Sequence, residues 1–321
     1  MKILFHDNTL SYRGTSVALY DYAFYNQEYL GNESIISYCA SQPYHEDGGT
    51  ENEVIEKFKK SFKVIGYQDP AEISSICEKE QVDSAYFIKS GHFDGRISNT
   101  TKSLIHCVFQ DYQPHGDVYA YVSEWLSQKV TNNSCPFVPH MVNLPEPNGD
   151  LREKYGLKDK IVVGRYGGYY TFDITWVKTA LMKFVYYNPE YVFLFANTHR
   201  FTNHPNFIFT DQIVNLQEKS NFINTCDAML HGRQMGESFG IAICEFMSQN
   251  KPVFAWSGGN DQHHVSLLKS TNTLYDNEAD LLDKLSYLKQ GYNFSNYRNL
   301  VDKFRPKPVM DKFKEVFLNE N

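Results

Sequence analysis

Short apolar runs alternate with longer amphipathic stretches along almost the whole chain, as strands and helices taken in turn would. Lys2 to His6 reads as a strand. Thr15 to Glu28 reads as a helix with Val17, Leu19, Tyr20, Ala23 and Phe24 at its apolar positions. Strands over Ser34 to Ala40, Lys63 to Tyr67 and Ser84 to Ile88 alternate with helices over Glu51 to Phe62 and Pro70 to Lys79. Strands are also expected near Ser103 to Phe109, over Val118 to Val122 and over Phe137 to Val142, with a helix from Ser123. The stretch Asn143-Leu144-Pro145-Glu146-Pro147-Asn148-Gly149 then breaks the rhythm and reads as a linker. A second series follows. Its strands are Ile161 to Gly164, Val192 to Phe195, Phe207 to Phe209, Ala228 to Leu230 and Pro252 to Trp256. Its helices are Ile174 to Tyr187, Leu216 to Asn224 and Gly240 to Gln249, and the tail from Leu281 is helical with breaks at Gly291 and around Pro306 and Pro308. Alternation of this kind predicts an α/β protein with two doubly wound, parallel-sheet domains over residues 1–143 and 150–305. Ligands of such domains bind at the carboxyl ends of the strands.

A length of 321 residues suits two domains, and 42% hydrophobic with 15% aromatic residues supplies ample core. The formal charge of −7 argues against a nucleic-acid surface, which would be basic. No apolar run of about eighteen residues appears, so no transmembrane segment is expected. Met1-Lys2-Ile3-Leu4-Phe5-His6-Asp7 meets polar residues too early for a signal peptide. Cys39, Cys77, Cys107, Cys135, Cys226 and Cys244 are scattered without a Cys-x-x-Cys, as reduced core thiols are. Asn32, Asn99, Asn132 and Asn293 open Asn-x-Ser/Thr triplets that an Asn-rich chain produces by chance. These features predict an enzyme or binding protein of a reducing compartment, placed in the cytoplasm.

The most informative segment is Gly236-Glu237-Ser238-Phe239-Gly240-Ile241-Ala242-Ile243-Cys244-Glu245, where two carboxylates stand eight residues apart across a small-residue turn that opens an apolar helix. Ser238 is placed to cap that helix. The backbone amides of Phe239, Gly240 and Ile241 then lack intrahelical acceptors and attract phosphate. Glu245 lies among apolar residues and needs donors, which two ribose hydroxyls or a structural Arg or Lys would supply. Glu237 is either a sugar ligand or a solvent-facing acid. Arg165, in Val162-Val163-Gly164-Arg165-Tyr166-Gly167-Gly168, ends a strand beside a glycine turn and is placed either to clamp a diphosphate or to cap the sheet edge.

The segment resembles the Glu-x7-Glu signature of retaining glycosyltransferases with the GT-B fold, family 4 above all, which reads roughly E-G-F-G-x-x-x-x-E-A-M-A-x-G-x-P-V. Here it reads Glu237-Ser238-Phe239-Gly240, then Glu245-Phe246-Met247-Ser248-Gln249-Asn250-Lys251-Pro252-Val253. The resemblance implies two Rossmann-like domains facing a central cleft, an N-terminal acceptor domain and a C-terminal donor domain, with the last helix (306–321) crossing back onto the first. It implies a nucleotide-diphosphate sugar as co-substrate, a glycan or other hydroxyl acceptor, no metal and no other cofactor. On that reading Arg165, Gly167, Arg233, Ser238, Phe239, Gly240 and Glu245 bind the donor, Glu237 orients its sugar, and His106 faces the sugar from across the cleft. Gly14 and Thr15, in the first strand-to-helix turn, lie near phosphate and acceptor, although a plain cap at Thr15 or Ser16 explains that turn equally well. The family's Lys-Gly after the Gly-Arg is missing: the chain continues Tyr169-Tyr170-Thr171-Phe172-Asp173.

No Gly-x-Gly-x-x-Gly, Walker or Asp-x-Asp motif occurs. The adjacent His263 and His264 read as solvent or cleft-lining polar residues rather than a metal face. The basic amphipathic stretch Val54 to Lys63 either touches an anionic membrane peripherally or packs on its own domain. Two other functions share the motif: a different GT-B chemistry, either sugar-nucleotide epimerisation or inverting transfer with His106 or His115 as base, and nucleotide or glycan binding without turnover.

Overall fold

The computed structural model describes residues 1–41, 49–294 and 296–319. Ser295, which completes the Asn293 triplet, and residues 320–321 of the tail lie outside them. The chain forms two units, Met1–Met141 together with Phe304–Asn321, and Val142–Lys303.

In the first unit β1 (Lys2–His6), β2 (Glu33–Cys39), β3 (Lys63–Tyr67), β4 (Ser84–Lys89), β5 (Lys102–Cys107) and β6 (Val118–Tyr121) make a parallel sheet in the order β3-β2-β1-β4-β5-β6. Helices α1 (Gly14–Leu30), α2 (Asn52–Lys59) and α3 (Glu72–Glu80) are its crossovers, and α4 (Glu124–Thr131) follows β6. The central strands β1 and β4 are mostly apolar and buried because both sheet faces are covered. Leu4, Ile35, Phe87 and Ile105 pack with Ile73 and Cys77 of α3 in one core cluster. Val54, Ile55 and Phe58 of α2 are buried, with the Phe58 ring 5.1 Å from that of Tyr20 on α1. The apolar face of this amphipathic helix is therefore used inside its own unit, not left for a membrane.

Phe137 to Val142 is not a strand. Only an isolated bridge joins Phe137 to Tyr121, because Pro136 and Pro139 remove the donors a ladder needs.

The second unit begins with the Pro-rich stretch, which is laid along a helix rather than hanging free. Ser220 donates to the Pro145 carbonyl at 2.6 Å, and the Asn148 amide donates to Asn221 at 3.1 Å. After α5 (Arg152–Tyr155) come β7 (Ile161–Arg165), α6 (Thr175–Tyr187), β8 (Tyr191–Ala196), β9 (Phe207–Thr210), α7 (Leu216–Thr225) and β10 (Ala228–His231). Then follow β11 (Gly236–Glu237), α8 (Ile241–Ser248), β12 (Val253–Trp256), β13 (Asp261–Gln262), α9 (His263–Leu268), β14 (Leu274–Tyr275), α10 (Glu278–Gln290) and α11 (Arg298–Val301). The main sheet is parallel in the order β14-β12-β10-β7-β8-β9, and β11 pairs with β13 apart from it. Val163, Phe193, Leu230 and Phe254 belong to its core.

The chain returns to the first unit as α12 (Pro306–Phe313) and a π-helical turn over Lys314–Leu318. Phe313 stacks on Tyr22 of α1 with centroids 5.4 Å apart, and lies 5.5 Å from Tyr86 of β4. Among the described residues no helix is long and apolar enough to cross a membrane.

Candidate active site

From β7 the second unit's chain runs outward through β8 and β9, then crosses back to β10 and outward on the other side through β12 and β14. Loops leaving the carboxyl ends of β7 and β10 diverge, which is where doubly wound sheets open a ligand crevice. Arg165 is the last residue of β7, and the Glu237 turn follows β10.

Arg165 is 4% exposed. Its guanidinium donates to three neutral acceptors: the Thr198 hydroxyl, the Thr171 hydroxyl at 2.7 Å and the Gly168 carbonyl at 3.3 Å. It also lies over the Phe172 ring, 5.3 Å from the centroid. Burial draws its pKa down to about 10, against the pull of Glu237 and Asp173, and among the described residues no carboxylate pairs with it directly. A buried cation without a counter-charge is unfavourable, and an anion brought by a ligand would complete it. Its Nε–H and one Nη1–H are not used in those three bonds. Gly167 allows the guanidinium to fold back, since a Cβ there would stand 3.2 Å from Nη2. The Gly167 carbonyl is taken by the Asn197 amide at 2.7 Å.

Glu237 is gripped by two donors. His231 Nε2–H reaches Oε1 at 3.2 Å, and Arg233 Nη1 reaches Oε2 at 3.0 Å. Burial pushes this carboxyl up, but the His231 hydrogen bond and the charge of Arg233 prevail and hold it down at about 2. The grip of His231 and Arg233 favours the ionised form of Glu237, a hydrogen-bond acceptor. Pairing of Gly236 with Asp261 and of Glu237 with Gln262 fixes its backbone.

Helix α8 starts at Ile241. Its N-cap is Gly240 at φ 86°, a left-handed conformation that favours glycine, which has no side chain of its own to cap the helix. A helix N-terminus of this kind presents backbone amides that suit an anion. Phe239 is an anchor: its ring stacks on His263 at 5.1 Å and its carbonyl accepts from His263 Nδ1 at 2.7 Å.

Glu245 is buried and already satisfied. Oε1 accepts from Lys219 of α7 at 2.9 Å, and Oε2 accepts from the Tyr166 hydroxyl. Of the two partners open to it, a structural lysine is the one the fold supplies.

No family model matches the chain, and no curated protein matches its sequence. Solved structures do. HepE from Anabaena, in complex with UDP-glucose, matches with TM-score 0.72 at 14% identity over 98% of each chain. A glycosyltransferase from Rickettsia africae ESF-5 gives 0.69 at 14% identity over 99% of each chain. A mutant of TarM from S. aureus, bound to UDP, gives 0.70 at 10% identity over 99% of each chain. All are GT-B glycosyltransferases. This chain has the GT-B fold.

Within the GT-B frame the first unit corrects the expectation for His106. It sits inside the sheet, with β5 paired to Ile88 on one side and Ala120 on the other. Its Nε2–H donates to the Val138 carbonyl at 2.8 Å, so Nδ1 accepts from the Tyr86 hydroxyl at 2.5 Å. Burial lowers its pKa to about 4. Both nitrogens serve the core, and none is left for a sugar. His115 is half-buried; its Nδ1 lies 2.6 Å from the Gln113 carbonyl.

Gly14 opens α1 and Thr15 follows, but neither Thr15 nor Ser16 caps it: the N-cap is Arg13, without a side-chain bond. The Ser16 hydroxyl instead donates to Asp7 at 3.2 Å. Asp7 follows β1 at this sheet's own reversal point, between β1 and β4, and burial raises its pKa to about 6.

Five residues of the second unit's site escaped the sequence reading: Tyr166, Lys219, Thr171, Thr198 and His231. Lys219 had a visible signal, since it interrupts the apolar face that Phe222 and Ile223 continue on α7. His263 and His264 are buried, not solvent-lining. His264 Nε2 donates to the Trp256 carbonyl at 2.8 Å, and its ring lies 4.9 Å from that of His231.

Proposed function

We propose that this chain is a glycosyltransferase that moves a sugar from a nucleotide-diphosphate sugar to a hydroxyl of a glycan or other acceptor, with retention and without a metal. The observation that carries the reading is Arg165 at the carboxyl end of β7, a buried guanidinium that pairs directly with no carboxylate among the described residues, in the same unit as the N-terminus of α8. As the nucleoside diphosphate departs, negative charge grows on its terminal phosphate. Arg165, Arg233 and the α8 amides supply donors where that charge develops. Glu237, kept ionised by His231 and Arg233, accepts from the hydroxyls of the transferred sugar. Glu245 acts one layer below. It holds Tyr166, the residue next to Arg165, and so shapes the floor on which the diphosphate rests. UDP in the HepE and TarM complexes supports a uridine nucleotide as the first donor to test. Six free, buried cysteines support a reducing compartment, the cytoplasm.

The test is thermal shift and turnover with UDP-, GDP- and ADP-sugars, beside Arg165→Gln. Stabilisation by nucleoside diphosphate is expected, on the order of 2.7 kcal/mol at a hundred times Kd. Arg165→Gln should lose that shift while keeping its fold, since it removes a buried charge that no carboxylate among the described residues pairs with directly. No shift with any nucleotide overturns the reading. Binding without nucleotide release, with acceptors supplied, makes the chain a binding domain. The anomeric configuration of the product decides retention, and unchanged turnover in EDTA is the expected result for metal.

A further inference from the structure

Where the family carries Lys-Gly, this chain places Tyr169 and Tyr170, which are 45% and 49% exposed. They are not loose surface residues. Their rings meet at 4.8 Å, Tyr170 stacks on His199 at 5.5 Å and 29°, and Tyr169 meets His199 edge-on at 5.6 Å. The backbone locks the cluster: the His199 amide donates to the Tyr169 carbonyl at 2.8 Å, and the Thr171 amide to Gly168 at 3.0 Å. The rings are also tied to the candidate anion site. Thr171 and Thr198, whose hydroxyls clamp Arg165, are the chain neighbours of Tyr170 and His199.

Strand order sets the direction. Glu237 follows β10, Arg165 ends β7 and His199 lies just beyond the end of β8, and these three strands are adjacent. At roughly 4.8 Å per strand, β10 to β8 spans about 10 Å. A nucleotide sugar laid with its sugar at Glu237 and its diphosphate on Arg165 carries its base toward β8. We propose that Tyr169, Tyr170 and His199 form a stacking platform for the base of the donor nucleotide, an inference that rests on the donor-site reading of Arg165. A platform of this kind reads the flat face of the ring rather than its edge, so it accepts pyrimidine and purine nucleoside diphosphates alike.

Calorimetric titration of UDP, ADP and inorganic pyrophosphate into the wild type and the variants Tyr170→Ala, Tyr170→Phe, Tyr186→Ala and Arg165→Gln tests it. Tyr170→Ala should weaken UDP and ADP about 5- to 150-fold, the range for one lost base–aromatic stack, and leave pyrophosphate unchanged. Tyr170→Phe should bind as the wild type does. So should Tyr186→Ala, another exposed tyrosine, which stands before β8 rather than beyond it. If Tyr170→Ala weakens UDP no more than pyrophosphate while Arg165→Gln loses both, the platform is wrong and the donor site stands. If the wild type binds no nucleotide at all, both fall. A Tyr170→Ala variant that keeps nucleotide affinity and raises only the acceptor KM assigns the rings to the acceptor and overturns the proposal.

Discussion

Replacing Glu245 by alanine tests what its carboxylate is for. The side chain is 4% exposed, with one oxygen 2.9 Å from Lys219 Nζ and the other on the Tyr166 hydroxyl. Lys219 is 7% exposed, and its ammonium lies 5.3 Å from the centroid of the Tyr166 ring. Removing one member of a buried pair strands the other charge, at a cost of about 3–5 kcal/mol. In a unit of this size each kcal/mol moves Tm by roughly 2–4 °C, so Glu245→Ala should melt roughly 6–20 °C lower. Lys219→Met should fall by a similar amount. The double variant Glu245→Ala/Lys219→Met should recover part of the loss, because no buried charge is then left stranded. Scanning calorimetry on the four proteins closes the cycle and isolates the coupling between the two residues. A carboxylate reserved for ribose predicts the opposite: Glu245→Ala stable to within about 1 kcal/mol of the wild type, additive single variants, and nucleotide affinity lost. That pattern would refute the structural role.

Three other outcomes are expected. The Glu237 carboxyl is held at about 2, below its ordinary 4.5, so its stabilising contribution is complete above pH 4.5 and disappears as pH falls to 2. The Tm gap between wild type and Glu237→Gln should close through that window; a gap that stays constant from pH 6 to 2 contradicts the His231–Arg233 grip. Asp7 has the opposite sign. Burial raises it from 3.8 to about 6, so ionisation penalises the fold increasingly from pH 4 to 6, by about 3 kcal/mol at the plateau. Asp7→Asn should therefore be the more stable protein at pH 8 and match the wild type near pH 4 by calorimetry. His106→Ala leaves the Tyr86 hydroxyl and the Val138 carbonyl buried without their partner, costing roughly 2–5 kcal/mol. UDP titration should show unchanged nucleotide affinity in the folded variant, and a selective loss of kcat at unchanged Tm would restore His106 to catalysis.

The sheets were readable because parallel strands buried on both faces appear as unbroken apolar runs such as Val192 to Phe195. Phe137 to Val142 also read as a strand and failed on Pro139 within it and Pro136 just before it. The two-residue strands β11, β13 and β14 are too short to carry any period, so the pairing that steadies Glu237 was invisible. The spacing of Glu237 and Glu245 was legible, but their partners were only partly so. Arg233 is four residues from Glu237 and within reach of local reading. Tyr166 and Lys219 stand 79 and 26 residues from Glu245, and only the assembled sheet brings them to it. His106 misled because the resemblance placed it at a strand end, whereas β5 and its neighbours continue hydrogen bonding past it.

The return of the chain to the first unit has a consequence for how the protein is made. Residues 142–303 form a contiguous unit, whereas the first unit needs α12, whose Phe313 lies against Phe5, Tyr22 and Tyr86. At roughly 5–20 residues per second, the ribosome reaches Phe313 some 10–35 s after Met141. Through that interval the earlier-synthesised unit waits with an aromatic face uncovered, while the later one is free to fold as it emerges. The order of completion is the reverse of the order of synthesis, and the nascent first unit is the part of this protein most exposed to chaperones.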